Sequence, residues 1–405
     1  MTTARRSSSP RVAFVVQRCG REVNGGAEFH CLQVAQQMTR YWHTEILTTC
    51  ALDYMTWENF YPPRTEQLGA TRVRRFPVDQ PREVESFNRL SGELHARQAE
   101  ASLAEQEDWM RAQGPVSTAL LDYLRTEKDR YDAFIFYGYL YATTYLGLRL
   151  VSEKAWLQPL AHDEWTIYFS MWDKFFALPA GFIFNTEAER EFLQKRFPGT
   201  CLPGPIAGVG IEPPQQIDVE RFRSRYNLTV PYLLYVGRVD ESKGCAAMFE
   251  NFLRWKQELG TPHKLLLLGT EVMPIPFHND IVHLGFVDDE QKWDALKGCE
   301  WLIMPSPHES LSMALLEAWS VGRPALVNGQ CEVLVRHCQE SHGGLWYLDF
   351  DEWSAALSSA DEKGKEILGR QGKAYVELRY SWARVEGCYR DAINPALSRP
   401  ISVAK

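Results

Sequence analysis

Short apolar runs recur along this chain, each closed by a turn and followed by a helical stretch, and this alternation constrains the fold more than any other feature. In the first half the runs lie near 11–17, 44–50, 72–76, 133–137, 156–161, 181–184 and 201–207. In the second they lie near 232–236, 263–268, 281–284, 300–304 and 323–327. Apolar runs without polar alternation read as buried strands. Helices between them make the crossovers of a parallel α/β array. A chain of 405 residues, 45% hydrophobic, can bury two such cores. The break is expected at Gly208-Val-Gly-Ile-Glu-Pro-Pro, where glycines and prolines interrupt the pattern. Between about 83 and 130 the chain is polar and helical, broken at Gly114-Pro115, which is too long for a crossover and predicts an inserted helical hairpin.

The charge balance narrows the partners. Net charge is −8 and no long basic stripe occurs, which argues against nucleic acid. Arg5, Arg6, Arg11, Arg18 and Arg21 make the N-terminal end basic, leaving peripheral contact with anionic lipid headgroups open. Ala133 to Leu148 carries no charge but is short of the roughly 20 residues a membrane span needs, and reads as a strand running into a packed helix. Nine cysteines, without Cys-x-x-Cys or metal spacing, argue against a disulfide framework. With no signal-like opening, a reduced, cytoplasmic setting is expected.

Three segments carry candidate chemistry. Glu309 and Glu317 stand eight positions apart after the run 300–304, where Pro305 and Pro307 end the strand and Ser310 suits a helix N-cap. At about 1.5 Å rise per residue the carboxylates lie up to roughly 12 Å apart. Glycosidase acid pairs need about 5 to 9.5 Å. A long ligand across a helix N-terminus fits better, with a carboxylate at each end and an anion between; a solvated acid beside a core-facing one is the plain alternative. Next, Tyr232-Leu-Leu-Tyr-Val-Gly-Arg-Val-Asp runs into Glu241-Ser-Lys-Gly, so Arg238 and Lys243 project from a strand-to-helix turn. Two cations there suit a diphosphate, unless they simply pair with Asp240 and Glu241. Finally, Gly25 and Gly26 open the helix after the first strand, where backbone can approach a ligand closely. No dinucleotide fingerprint or Walker A sequence occurs.

In order and separation, these segments resemble the retaining family 4 glycosyltransferases of the GT-B fold, with their Glu-x7-Glu motif. The resemblance covers the glycine loop at 25–28, Gly237-Arg-Val-Asp with Lys243-Gly244, Gly285-Phe-Val, and Glu309 with Glu317; Gly322-Arg-Pro-Ala-Leu-Val supplies the strand after the donor helix. It is strongest over 230–335 and loosest over 80–130. It implies an α/β chain of two Rossmann-like domains with parallel sheets facing a central cleft: 1–209 for the acceptor, 210–378 for the nucleotide sugar, and 379–405 as a helix returning to the first domain.

The implied reaction is transfer of a sugar from a nucleotide diphosphate sugar to a hydroxyl, with retention and without cofactor or metal. Arg238, Lys243 and the N–H groups near Ser310, Leu311 and Ser312 would stabilise the departing diphosphate. Glu309 would hold sugar hydroxyls, Glu317 the ribose, and the backbone around Val287 the base, with Gly25 and Gly26 also lining the donor. His162, at the end of the run 156–161, would donate to a sugar hydroxyl; a structural His, or a His-Asp pair capping the next helix, is its rival. The single Asp-x-Asp sequence, Asp349-Phe-Asp351, lies outside these motifs and reads as a polar loop or helix start.

The acceptor is expected to be a saccharide or glycolipid of polysaccharide or cell-envelope assembly. Trp109, Gln113, Tyr137, Tyr139 and Tyr141 are the candidates for its surface, with ordinary core packing as the rival explanation. A catalytically silent nucleotide-binding scaffold, or a nucleotide-sugar epimerase, are the alternative functions. A phosphorylase ranks low, since nothing marks a pyridoxal lysine. Sugar, base, linkage and oligomeric state are not encoded legibly.

Overall fold

The computed structural model describes residues 9–23, 25–200 and 203–397. The chain divides into two compact units, 1–209 with 383–405, and 210–382.

The first unit runs β1 (Arg11–Val15), α1 (Gly26–Met38), β2 (His43–Thr49), β3 (Thr65–Leu68), β4 (Thr71–Phe76), α2 (Val84–Ala96), α3 (Leu103–Gln113), α4 (Thr118–Glu127), β5 (Ala133–Tyr137), α5 (Ala142–Gly147), β6 (Ala155–Gln158), α6 (Met171–Phe175), β7 (Gly181–Phe182) and α7 (Glu187–Arg196). Its sheet has the order β3-β4-β2-β1-β5-β6-β7, parallel except for β3. β1 and β5 are buried along almost their whole length, as strands covered on both faces must be.

The second unit runs α8 (Val219–Arg225), β8 (Tyr232–Val236), α9 (Cys245–Leu259), β9 (Lys264–Leu268), β10 (Ile281–Gly285), α10 (Asp289–Gly298), β11 (Trp301–Met304), α11 (Met313–Ser320), β12 (Ala325–Asn328), α12 (Glu332–Ser341), β13 (Gly344–Tyr347), α13 (Phe350–Ser359) and α14 (Glu362–Arg379). Its sheet is β10-β9-β8-β11-β12-β13, all parallel.

The last helix, α15 (Trp382–Leu397), belongs from Ala383 onward to the first unit. Tyr389 and Tyr137 share a hydroxyl–hydroxyl bond of 2.7 Å, and Tyr389 also donates to Gln158. Glu386 accepts from Arg40 and from the Tyr41 hydroxyl, and Trp42 donates to Asn394.

Several sequence expectations need correction. β6 stops at Gln158 rather than 161, because Pro159 has no N–H for the ladder and Leu160 turns to φ 56°. No strand forms over 203–207; Ile206 makes only an isolated bridge to Phe184, and Cys201 and Leu202 lie outside the described residues. β3 and β13 were unexpected. β3 is a polar edge strand, Thr-Glu-Gln-Leu, and β13 a four-residue edge strand directly after Gly343, so neither shows a long apolar run. The stretch 83–130 holds three helices, not a hairpin. α3 begins with a full Ser102/Glu105 capping box.

The expected acceptor aromatics are largely core. Trp109 on α3 is 2% exposed and packs on Phe87 and Phe169; Tyr137 and Tyr139 are fully enclosed, and Gln113 is buried. Only Tyr141 keeps partial exposure. The inserted helices lay their apolar sides against the aromatic cluster that holds Trp109 and Tyr139, while Tyr137 packs on Phe14 and His30. Arg18 is likewise buried rather than part of a basic surface, and Arg5 and Arg6 lie outside the described residues.

Candidate functional site

In the second unit β8 and β11 are neighbours, and the chain leaves them in opposite directions: β9 and β10 to one side, β12 and β13 to the other. Such a switch point opens a crevice beyond the carboxyl ends of the two strands. The loops that leave them carry most of the motif residues.

After β8 come Gly237, Arg238 and a short 3-10 turn, Glu241–Lys243, capped by the Asp240 carboxylate accepting from the Ser242 N–H at 2.9 Å. Gly244 then starts α9 at φ 73°, and a Cβ there would run into the Pro305 carbonyl oxygen. Only glycine satisfies both the left-handed backbone and that close approach. The loop after β11 is pinned at the same point, since Asn328 Nδ2 donates to the Pro305 carbonyl at 2.8 Å.

Across the two loops Lys243 Nζ donates to Glu309 Oε1 at 2.8 Å, while Arg238 pairs with Asp240 at 2.8 Å. Both cations thus have carboxylate partners. Their side chains stay about one-third exposed, 33% each. Such pairs hold weakly and exchange readily for a stronger anion. The cluster is neutral as it stands: two cations, two carboxylates. An arriving dianion would meet cations already oriented.

The helix expected to start at Ser310 starts instead at Met313. Ser312 occupies the N-cap at φ 65°, ψ 82°, and its side chain makes no cap hydrogen bond. A non-glycine residue there costs on the order of 1–3 kcal/mol, a cost the surrounding structure must offset. Ser310 and Leu311 therefore lie in the loop ahead of the helix, and the first-turn amides begin at Met313.

Glu317 lies one turn into α11, 6% exposed, with its Oε1 2.8 Å from Lys292 Nζ on α10. Burial raises the Glu317 carboxyl's pKa, with Lys292 opposing. For Lys292 burial acts downward, but the Glu317 carboxylate outweighs it and the net direction is up. Val287, half-buried, follows β10 beside Phe286, which is 69% exposed.

The first unit places its own expected residues at an equivalent edge. Gly25 is the N-cap of α1, and a Cβ there would collide with the Glu28 carboxylate; Gly26 faces open space. That carboxylate accepts from Gln17 at 3.0 Å and pairs with Arg18 at 2.5 Å, all buried. His162 lies in the turn after β6, partly buried, with Nδ1 4.0 Å from Glu164 Oε1. Its turn is held by Glu189, whose two oxygens accept the N–H groups of Ala161 and Asn185, each at 2.7 Å. Burial pushes the Glu189 carboxyl up to about 8, against those backbone bonds. His30, enclosed and bonded to the Gly208 carbonyl, is pushed down to about 4 by burial.

Residues 230–360 match the family model for glycosyl transferases group 1, and they hold Arg238, Lys243, Glu309 and Glu317. The chain is also similar to solved structures. A sucrose-phosphate synthase from Thermosynechococcus elongatus matches with a TM-score of 0.69 at 16% identity, covering 95% of this chain and 100% of its own. HepE of Anabaena, solved with UDP-glucose, matches with a TM-score of 0.69 at 11% identity over 95% and 100%.

The chain has the GT-B fold. Its second unit holds the whole segment that matches the group 1 glycosyl transferases. An uncharacterized glycosyltransferase of Methanocaldococcus jannaschii is 24% identical over 170 residues, 38% of this chain. The GT-B chain spans 42% of that relative's length.

Sequence reasoning found the ion-paired residues of the switch point and missed those that brace them. Lys292 sits in an acidic stretch, Asp288-Asp-Glu-Gln-Lys, and reads as a solvated charge. Asn328 ends an apolar strand without any motif, and Glu28 was passed over although it lies inside the glycine loop. Asp349 caps α13, accepting from the Glu352 N–H, which makes Asp349-Phe-Asp351 a helix start. Among the described residues no group of three or more His, Cys, Asp or Glu side chains could hold a metal ion, no disulfide forms, and no helix is long and apolar enough to cross a membrane.

Proposed function

We propose that this chain transfers a glycosyl group from a nucleotide diphosphate sugar to a hydroxyl of a saccharide or glycolipid, with retention and with no metal or cofactor. The observation that carries the reading is the Lys243–Glu309 pair, which joins the two switch-point loops beside Arg238. The match of this region to the group 1 glycosyltransferases and the UDP-glucose complex of a protein with the same fold support it.

In this reading the diphosphate takes over Lys243 and Arg238 and lies against the first-turn amides of α11. As the glycosidic bond breaks, charge moves onto the diphosphate, and these prearranged groups stabilise it. Glu309, released from Lys243, accepts hydrogen bonds from sugar hydroxyls. Glu317 holds Lys292 through Oε1 and turns Oε2 to a ribose hydroxyl. The backbone at Val287 reads the base. The acceptor hydroxyl attacks from the leaving-group face and gives its proton to a phosphate oxygen, so configuration is kept. His162 donates to a sugar hydroxyl, and the Gly25–Gly26 turn approaches the donor through backbone. The setting is a cytoplasmic step of polysaccharide or envelope assembly, with peripheral contact to a membrane surface.

The test is a thermal-shift panel of UDP, GDP, ADP and their sugars, with and without EDTA, on wild type, Arg238→Ala and Glu317→Ala. A ligand at 100 times its dissociation constant adds about 2.7 kcal/mol. Stabilisation by one nucleotide, lost in both variants and indifferent to EDTA, is expected. No response to any nucleotide would leave a scaffold that binds no nucleotide as the better reading.

A further inference from the structure

The loop that delivers α11 to the switch point is strained, and one buried imidazole braces it. His337, on the inner face of α12, is 3% exposed and stands between two partners. Its Nε2 lies 3.1 Å from the Leu311 carbonyl oxygen, and its Nδ1 lies 3.0 Å from the Tyr375 hydroxyl on α14. The rings of Trp319, Tyr375 and Tyr380 meet it edge-on, with centroids 6.3, 5.8 and 6.0 Å away, so the imidazole has no room to swing.

The hydrogen bonding fixes its form. A carbonyl only accepts, so Nε2 must carry a proton. Nδ1 of the neutral ring then accepts from the Tyr375 hydroxyl. That hydroxyl also donates to Glu340 Oε2 at 3.2 Å, so its one proton is shared between the carboxylate and Nδ1. Burial holds the imidazole's pKa at about 4, so the neutral form persists at ordinary pH.

What this bond holds is decisive for the next residue. Leu311 is 4% exposed, so its carbonyl has little access to water. Ser312 follows at φ 65°, and among the described residues its buried Oγ has no hydrogen-bond partner. Neither the backbone angle nor the hydroxyl is locally favourable, so the conformation is imposed from outside. Asn328 and Gly244 pin the loop's start at Pro305; His337 pins its end.

We propose that His337 is a positioning residue: oriented by the Tyr375 hydroxyl, it clamps the Leu311 carbonyl and so presets Ser312 and the first-turn amides of α11 for an anionic ligand. The ligand class is the diphosphate of the donor, so the inference rests on the function proposed above. The sequence gives no hint of it, because His337 lies outside every motif, 20 positions beyond Glu317.

The experiment compares wild type with His337→Phe, His337→Gln and Tyr375→Phe. It measures binding of UDP, GDP and ADP and of the matching nucleosides, and amide hydrogen exchange over 306–314 in ligand-free protein. His337→Phe keeps the ring but deletes the donor. Affinity for the bound diphosphate should fall about tenfold while nucleoside affinity stays unchanged, and loop exchange should quicken. His337→Gln, which retains an N–H near the Nε2 position, should recover most of the loss, and Tyr375→Phe should show a smaller effect in the same direction. A folded His337→Phe that binds the diphosphate and exchanges like wild type overturns the clamp. If that variant does not fold, unchanged binding and exchange in both other variants overturns it equally. A wild type that binds no nucleotide refutes the donor reading and with it the ligand named here. The clamp is then judged by exchange alone, where unchanged rates refute it and quickened rates support it.

Discussion

The two sheets treat charge at their switch points in opposite ways. Beside β1 and β5 the Arg18–Glu28 pair is sealed, with side chains 10% and 7% exposed, and Gln17 completes it. Beside β8 and β11 the Lys243–Glu309 pair is left at 33% and 16%. A sealed pair exchanges its partner only at great cost and so acts as a brace. An open pair has little to lose by taking a new partner. A cation–carboxylate pair beside each switch point therefore does a different job, and burial sets the difference.

The sharpest way to break that contrast is to remove one member of each pair. Glu28→Ala leaves Arg18 buried without its carboxylate and should cost about 3–5 kcal/mol, read as a lowered urea midpoint. Glu309→Ala should cost under about 1 kcal/mol of stability while lowering nucleotide-sugar affinity. Equal stability losses would erase the distinction. Lys292→Ala tests whether the second unit also has a sealed pair. It strands the Glu317 carboxylate, so a loss of about 3 kcal/mol is expected in the same assay.

A smaller, pH-dependent effect is expected from Glu189. Its carboxyl is raised from 4.5 in the unfolded chain to about 8 in the folded one. Between those values the folded state binds more protons, so its contribution to stability is full below pH 4.5 and is lost as pH rises through about 8. Glu189→Gln, neutral throughout, should flatten that slope, on the order of a few kcal/mol, in stability measured from pH 4.5 to 8.5. Smallest in stability, and specific to the open site, Lys243→Ala should leave the melting point within a degree or two but weaken diphosphate binding about 10- to 100-fold. Isothermal titration would show it.

The paired arrays and most strands were legible because a parallel sheet demands continuous apolar runs, and Val12-Ala-Phe-Val or Tyr232-Leu-Leu-Tyr can hardly be anything else. β3 escaped because a polar edge strand obeys no such demand. Arg238, Lys243, Glu309 and Glu317 stood out through spacing. The start of α11 did not, because Ser310 looks like a better cap than Ser312 until the clamp that forces Ser312 into a left-handed turn is seen. Trp109 and Tyr139 stayed open between surface and core for a related reason: an aromatic's exposure depends on what packs over it. Trp109 of the inserted helices is covered by Phe169, and Tyr139 by Trp172, both distant in sequence.

One consequence of the last helix concerns synthesis. α15 supplies the Tyr389 hydroxyl to Tyr137 and Gln158 in the first unit, yet it is made after the whole second unit. Synthesis therefore supplies all of the second unit while the first still lacks one of its helices. The order in which the two units have all their residues made is the reverse of the order in which they begin. A truncation just before Ala383 would spare the later-made lobe and leave the earlier one permanently unfinished.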